Sequence, residues 1–129
     1  MTTIRESRVF TQAEFDRFAA VSGDDNPIHV DPRFSAETRF GRTVAHGMLL
    51  YAALWGVIRR HFPSAVQETQ DLMFPAPTYA GEPMRLEVDE LDRPESDLLD
   101  LAVRVVAEAD GTVTLDGRTR IRLRNGAAR

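Results

Sequence analysis

Between positions 22 and 29 the chain reads Ser22-Gly-Asp-Asp-Asn-Pro-Ile-His29. A carboxylate and an imidazole held close together can grip one water and handle its protons. Asp24, Asp25 and His29 are the groups available for that, and Asn26-Pro27 bends the segment between them. Proline locks its own φ and restricts the residue before it, so the bend is rigid. Turn chemistry alone also uses Asp, Asn and Pro, so the imidazole beyond the bend is what raises the segment above an ordinary turn. A second feature is His46-Gly47, at the head of a long apolar run. The N–H groups at a helix N-terminus have no partner within the helix and carry partial positive charge. A glycine there lets a ligand carbonyl approach, as stabilising an enolate-like oxygen requires. The His46 side chain itself reads first as a buried, hydrogen-bonded histidine. His61 reads as a dipole partner at a helix C-terminus, and Asp31 as a helix cap.

Positioning these groups requires several elements. Ile4 to Phe10 mixes apolar and polar residues and is expected as a strand. Thr11-Gln-Ala-Glu14 has the form of a capping box; Phe15, Phe18 and Ala19 follow at helical spacing, and Gly23 ends that helix. Gly23 to Pro32 is expected as a turn-rich stretch, with a short helix from Pro32 to about Thr38 capped by Asp31 and broken at Gly41. His46 to about His61 is the strongest helical pattern, apolar almost all round and therefore expected to be buried. Met48, Leu49, Ala52, Ala53, Val57 and Ile58 form its expected apolar stripe. Strands are expected at Leu72 to Phe74, Met84 to Leu91, Leu98 to Ala107 and Val113 to Leu123. Asp110-Gly111 is a hairpin turn, and Arg93-Pro94 and Asp116-Gly117 are further expected turns. Strands that follow one another without intervening helices imply an antiparallel sheet, curved around the buried helix. Helix and sheet together offer apolar walls for an acyl chain.

The 129 residues suit a single domain spanning 1-129, with 43% hydrophobic and 28% charged residues. With no cysteine, disulfides, thiolate metal sites and cysteine nucleophiles are excluded. The three histidines lack the paired spacing of a zinc site, so no metal is expected. No glycine-rich phosphate loop or serine nucleophile elbow occurs. A net charge of −4 with scattered arginines argues against nucleic-acid binding. No run is long and apolar enough for a membrane span, and the first residues lack the pattern of a signal peptide; a cytoplasmic location is expected.

The segment Phe18-Ala-Ala-Val-Ser-Gly-Asp-Asp-Asn-Pro-Ile-His-Val-Asp-Pro-Arg-Phe34, with Phe40-Gly-Arg-Thr-Val-Ala-His-Gly-Met-Leu49, resembles the MaoC-like family. These are (R)-specific enoyl-CoA hydratases and related acyl dehydratases of the hotdog fold. Phe74, Pro77 and Gly81 are similar to a later segment of the same family. The resemblance implies an α+β hotdog fold, a curved antiparallel sheet around a long central helix. It implies that Asp24 and His29 are the catalytic pair, that Asp25 occupies a variable position, and that Asn26 supports the loop. It places the oxyanion donor on the backbone N–H of Gly47. It further implies a homodimer whose sheets join, with the pantetheine of CoA or an acyl carrier protein running along the interface as part of the substrate; no separate cofactor is expected. Asn26, His46 and Trp55 are the expected substrate-side residues. Trp55, two turns beyond Gly47, either borders the acyl pocket and limits it to a short or unusual chain, or belongs to the core. The implied reaction is hydration of a trans-2-enoyl thioester to the (R)-3-hydroxyacyl thioester, or its reverse. A hotdog thioesterase and a non-catalytic acyl-thioester-binding subunit are the alternatives; the Asn-Pro-x-His pattern speaks against the first, and the intact Asp24 and His29 against the second.

Overall fold

Thr11 starts the first helix as its side chain predicts. In the computed structural model, which describes residues 1–124, Thr11 Oγ1 accepts from the Glu14 N–H and the Glu14 carboxylate accepts from the Thr11 N–H. Helix α1 (Gln12–Ser22) ends on Gly23 in the left-handed conformation, φ 80°. Strand β1 (Thr3–Val9) precedes it. Asp31 caps α3 (Pro32–Ala36) by accepting from the N–H groups of Arg33 and Phe34. One element was not expected. Inside the turn-rich stretch lies a single helical turn, α2 (Pro27–Val30), with Asn26 as its cap and Pro27 in its first turn. Asn26-Pro27 is the same cap-plus-proline pair that Asp31-Pro32 provides.

Helix α4 (Gly47–His61) runs against β3 (Pro83–Glu95), β4 (Leu98–Ala107) and β5 (Val113–Leu123). The buried side of α4 is Leu50, Tyr51, Leu54, Val57 and Ile58. Val57 and Ile58 were expected there, but Met48 is 45% exposed and Ala52 is exposed as well. A helix that is apolar on every side has little periodic contrast, so its inward direction is set by the sheet and not by its own pattern. Opposite it lie Met84, Leu86 and Val88 of β3, Leu99, Leu101, Val103 and Val105 of β4, and Leu115 and Ile121 of β5, forming one core with the helix. Tyr51 keeps its hydroxyl satisfied inside this core through Thr119, at 3.0 Å, and Gln67. The outward positions of the sheet carry ion pairs such as Arg120–Asp100 and Arg85–Glu87.

With β2 spanning Ala65–Met73, the sheet has the order β1-β3-β4-β5-β2, every pair antiparallel. This is the hotdog arrangement that the resemblance implies. Among the described residues no helix is long and apolar enough to cross a membrane. Strand β2 (Ala65–Met73) is much longer than the expected Leu72 to Phe74. It lies at the sheet edge, and all of it but Ala65 and Leu72 is exposed. Such a strand buries no face, so Gln67 to Asp71 show no alternation to read.

Two expected turns lie within strands. Pro94 sits near the end of β3, where the pairing with β4 shifts register between Asp92 and Glu95; irregular positions of this kind accommodate proline. Gly117 sits in the middle of β5, opposite Leu72 and Val103. A Cβ at Gly117 would fall 2.1 Å from the Asp71 carbonyl oxygen. Glycine is required there because the β2 backbone passes too close for any side chain. Gly117→Ala should therefore destabilise the protein by about 1–3 kcal/mol, the usual cost of overpacking. An unchanged urea midpoint would mean that β2 does not lie against β5 in this way.

Candidate active site

The loop Gly23–Asn26 carries Asp24 out of α1 and into α2. The Asp24 N–H donates to Ser22 Oγ at 3.1 Å, and Asp24 Oδ1 accepts from the Asn26 N–H at 3.4 Å. The other carboxylate oxygen, Oδ2, lies 3.7 Å from His29 Nε2. That is too long for a direct hydrogen bond, but it is a separation that one water can bridge. Asn26 acts on the loop from two directions: its backbone turns the carboxylate, and its side chain caps α2 by accepting from the Ile28 N–H at 3.1 Å. It does not line the cavity described below, so it supports the site without facing a ligand.

His29 is oriented by its other nitrogen. Nδ1 lies 2.7 Å from the carbonyl oxygen of Val44. A carbonyl can only accept, so Nδ1 carries the proton and neutral His29 presents a bare Nε2 to Asp24. Val44 belongs to a strap, residues 43–46, that crosses from α3 to α4. The strap is laced on both sides. The Val44 N–H donates to the Ile28 carbonyl at 3.0 Å, and the Ala45 N–H to the Thr78 carbonyl at 2.8 Å. Thr43 Oγ1 donates to Gln12 Oε1, and Gln12 Nε2 donates to the His29 carbonyl.

The strap ends at His46, the N-terminal cap residue of α4, with Gly47 the first residue of the helix. Among the described residues no acceptor takes the Gly47 N–H. The room left by the absent Gly47 side chain is filled by Phe74: a Cβ there would lie 2.6 Å from the Phe74 ring. The missing side chain thus serves an aromatic wall on one side of Gly47, besides the expected approach of a ligand carbonyl.

The His46 ring is buried and stacks on His29, centroids 3.8 Å apart and planes 23° from parallel. Its Nε2 lies 2.9 Å from the Asp24 carbonyl oxygen. Burial pushes its pKa below the ordinary imidazole value; the hydrogen bond to Asp24 opposes this with a smaller effect, and His29 adds to the lowering. Donor atoms of Asp24, His29 and His46 thus come within 4.8 Å of one another, a clustering that the wide sequence spacing did not suggest. The two rings are stacked 23° from parallel, so their in-plane lone pairs run side by side, whereas the ligands of a zinc ion point at one centre.

Asp24, His29, His46 and Gly47 all line one cavity of about 590 Å³. Its apolar wall includes Phe18, Phe40, Met48, Leu50 and Phe74, and Thr78 and Thr114 add hydroxyls. Arg39 also lines it, and none of these six side chains from Phe18, Phe40, Arg39, Phe74, Thr78 and Thr114 was anticipated as part of the site. Phe18 and Phe40, which open the two motif segments, and Phe74 with Pro77 in the later one were the available pointers to that wall. Asp25 is exposed and outside the lining. Trp55 is outside it too; its half-buried ring packs on the core. Trp55 therefore does not shorten the cavity of this chain, contrary to one of the two expectations for it.

This constellation can be set beside known proteins. The (R)-specific enoyl-CoA hydratase of Aeromonas caviae is 33% identical over 122 residues, covering 92% of this chain and 90% of that protein. The solved structure of the A. caviae (R)-hydratase involved in PHA biosynthesis superposes with a TM-score of 0.89 at 32% identity, over 95% of each chain. A mitochondrial 3-hydroxyacyl-[acyl-carrier-protein] dehydratase of Arabidopsis thaliana is 39% identical over 79 residues. The chain spans 61% of itself in that match and about half, 48%, of the plant protein. The family model described as MaoC like domain matches residues 2–110. With its motif residues gathered at one cavity and its sheet wrapped around α4, the chain belongs to the MaoC-like domain family.

Proposed function

We propose that this protein is an (R)-specific enoyl-thioester hydratase, acting in the cytoplasm on the trans-2-enoyl thioester of CoA or an acyl carrier protein, or on the 3-hydroxyacyl thioester in reverse. The observation that carries the reading is the 3.7 Å separation of Asp24 Oδ2 and His29 Nε2, beside the unpartnered N–H of Gly47 in one apolar cavity. A water held by both groups gives up a proton to the pair as its oxygen attacks the β-carbon. The electron pair of the double bond moves toward the thioester carbonyl oxygen, which the Gly47 N–H and the positive end of α4 stabilise. The pair then returns a proton to the α-carbon. One water is added and no electron is gained or lost, so the reaction requires no cofactor beyond the pantetheine that the substrate brings.

The reading extends to a dimer of two identical chains joined at β2. That edge strand exposes Val66 and Met73, and it leads directly into the exposed Phe74 at the cavity. The free edge of a strand presents N–H and C=O groups that pair readily with another strand. Light scattering at micromolar concentration should give twice the 14.5 kDa chain mass; a single-chain mass would rule the dimer out.

Purified protein should hydrate crotonyl-CoA, seen as loss of the conjugated absorbance without release of free thiol. Thiol release would mark a thioesterase instead. Asp24→Asn and His29→Ala should fold and lose activity by about 10²–10⁴-fold, the usual contribution of a positioned acid or base. Retained activity in both variants would reject the pair.

Gly47 can be tested through its N–H alone. Proline is accepted at the first residue of a helix, and His46 before it already has φ −62° and ψ 134°, which a proline neighbour favours. Phe74→Ala makes room for the ring. Adding Gly47→Pro to Phe74→Ala should lower kcat by a further factor of about 10²–10³. Equal kcat in the single and double variants would remove the N–H from the mechanism.

A further inference from the structure

His46 is a buried titratable side chain that the reaction above does not use. It is 3% exposed, yet it touches each working part of the site. Its Nε2 faces the Asp24 carbonyl oxygen at 2.9 Å, and because that oxygen only accepts, Nε2 carries the proton. Its ring lies flat on His29 at 3.8 Å. Its own carbonyl accepts from the N–H groups of Leu49 and Leu50 and so opens α4, one residue before Gly47.

We propose that His46 is a positioning residue for the hydration step: it holds Asp24 by the backbone and His29 by the ring, in register with the Gly47 N–H. The inference rests on the hydratase reading of the same cavity. Asp24 needs an external hold, because its side chain is 55% exposed and its one hydrogen bond from the described residues, from the Asn26 N–H, is 3.4 Å long. Displacing a reacting group by about 1 Å can cost about 10²-fold in rate.

The stack also needs His46 to stay neutral. Its Nδ1 is buried and has no partner among the described residues. A proton there would be an N–H⁺ that nothing accepts. The titratable groups facing the ring are His29 from α2 and Asp24 from the loop; α1 presents only Phe15 and Phe18, at 6.5 and 4.9 Å between centroids. When His29 takes a proton during turnover, the plate beneath it therefore carries no like charge. Phenylalanine would supply the plate without the donor, and glutamine the donor without the plate; histidine supplies both.

Two variants separate these parts. His46→Phe keeps a ring against Phe15, Phe18 and His29 but loses the donor to Asp24. His46→Gln keeps a donor of similar reach and loses the stack. With crotonyl-CoA, kcat per folded molecule should fall by about tenfold or more in His46→Phe and by less in His46→Gln, with KM within about twofold of wild type. A merely structural histidine would lower stability and leave kcat per folded molecule unchanged. Wild-type kcat in either folded variant overturns the proposal.

Nitrogen NMR of the three histidines tests it without activity. His46 should be the Nε2–H tautomer when neutral and should take its second proton at lower pH than a free imidazole does. An ordinary titration or an Nδ1–H tautomer overturns the proposal even if the enzyme is active. Correct tautomers in a protein that hydrates no enoyl thioester would instead reject the hydratase reading.

The same asymmetry predicts a pH dependence of stability. The unfolded chain binds a proton at His46 near 6.5, while the folded chain binds it only at lower pH. Stability should therefore fall as pH drops from about 6.5 toward the folded value and then level off for this group. His46→Gln should lack that part of the acid slope; an identical slope in the variant would place His46 among ordinary exposed imidazoles.

Discussion

The hydrogen bond between His29 Nδ1 and the Val44 carbonyl, 2.7 Å long, is the contact on which the site depends. It decides which nitrogen is bare. In the opposite tautomer an N–H would point at Asp24, and carboxylate and imidazole could close on each other and exclude the water between them. Val44 can set the tautomer only because it cannot move. The strap that carries it is tied to Ile28 on one side and to Thr78 on the other, and bridges Tyr79. The strap therefore transmits the position of the 78–79 segment to α2, and hands over directly to His46 and Gly47. Four residues of main chain thus bring together two halves of a site that lie more than a dozen positions apart.

The wall of the site is set from the far side of the molecule. Gly117 has no side chain, so β2 can settle against β5 with Leu72 opposite Gly117 and Met73 opposite Asp116. Phe74 is the next residue, and its ring then occupies the space beside Gly47. A glycine in a strand and a glycine at a helix start are linked through one phenylalanine. Helix α4 keeps Gly47 at that spot because Leu54, Val57 and Ile58 are fully buried against the sheet. Large-to-small changes in such a core typically cost about 2–5 kcal/mol, so the helix has little freedom to slide and carry the N–H away from the pair.

Much of this was legible in the sequence. Thr11 with Glu14, Gly23, and Asp31 with Pro32 marked their helix ends because local hydrogen bonds decide those ends. Strands β4 and β5 matched expectation because one of their faces is buried and alternates. The motif brought Asp24, His29 and Gly47 to one cavity. What was missed depends on partners distant in sequence. β2 is held by its pairing to β5 and not by a buried face. The inward side of α4 is chosen by the sheet. Arg93-Pro94 and Asp116-Gly117 have turn composition, yet they are held extended by neighbouring strands. The reach of His46 to Asp24 spans 22 positions and rests on a tertiary stack that no local pattern encodes. Trp55 stands two turns beyond Gly47 yet packs on the core, because a position along one helix does not fix which wall of the cavity lies opposite it.

The cavity gathers Asp24, His29 and the Gly47 N–H, but its enclosure is incomplete. Asp24 is more than half exposed, and Met48 and Phe74, both in the lining, are 45% and 46% exposed. Apolar side chains in that position lose nothing by being covered, and the unpaired edge of β2 ends where Phe74 begins. A second copy joined along β2 would bring protein against that flank of the cavity. Removing water there would strengthen the interactions of Asp24, His29 and the Gly47 N–H with developing charge, since each acts more strongly in a lower dielectric. The division of labour then follows from geometry. On the proposed reading, proton handling and carbonyl polarisation fall to the strap and α4 of one chain, while a second copy at β2 would cover the exposed apolar side chains on the flank of the cavity.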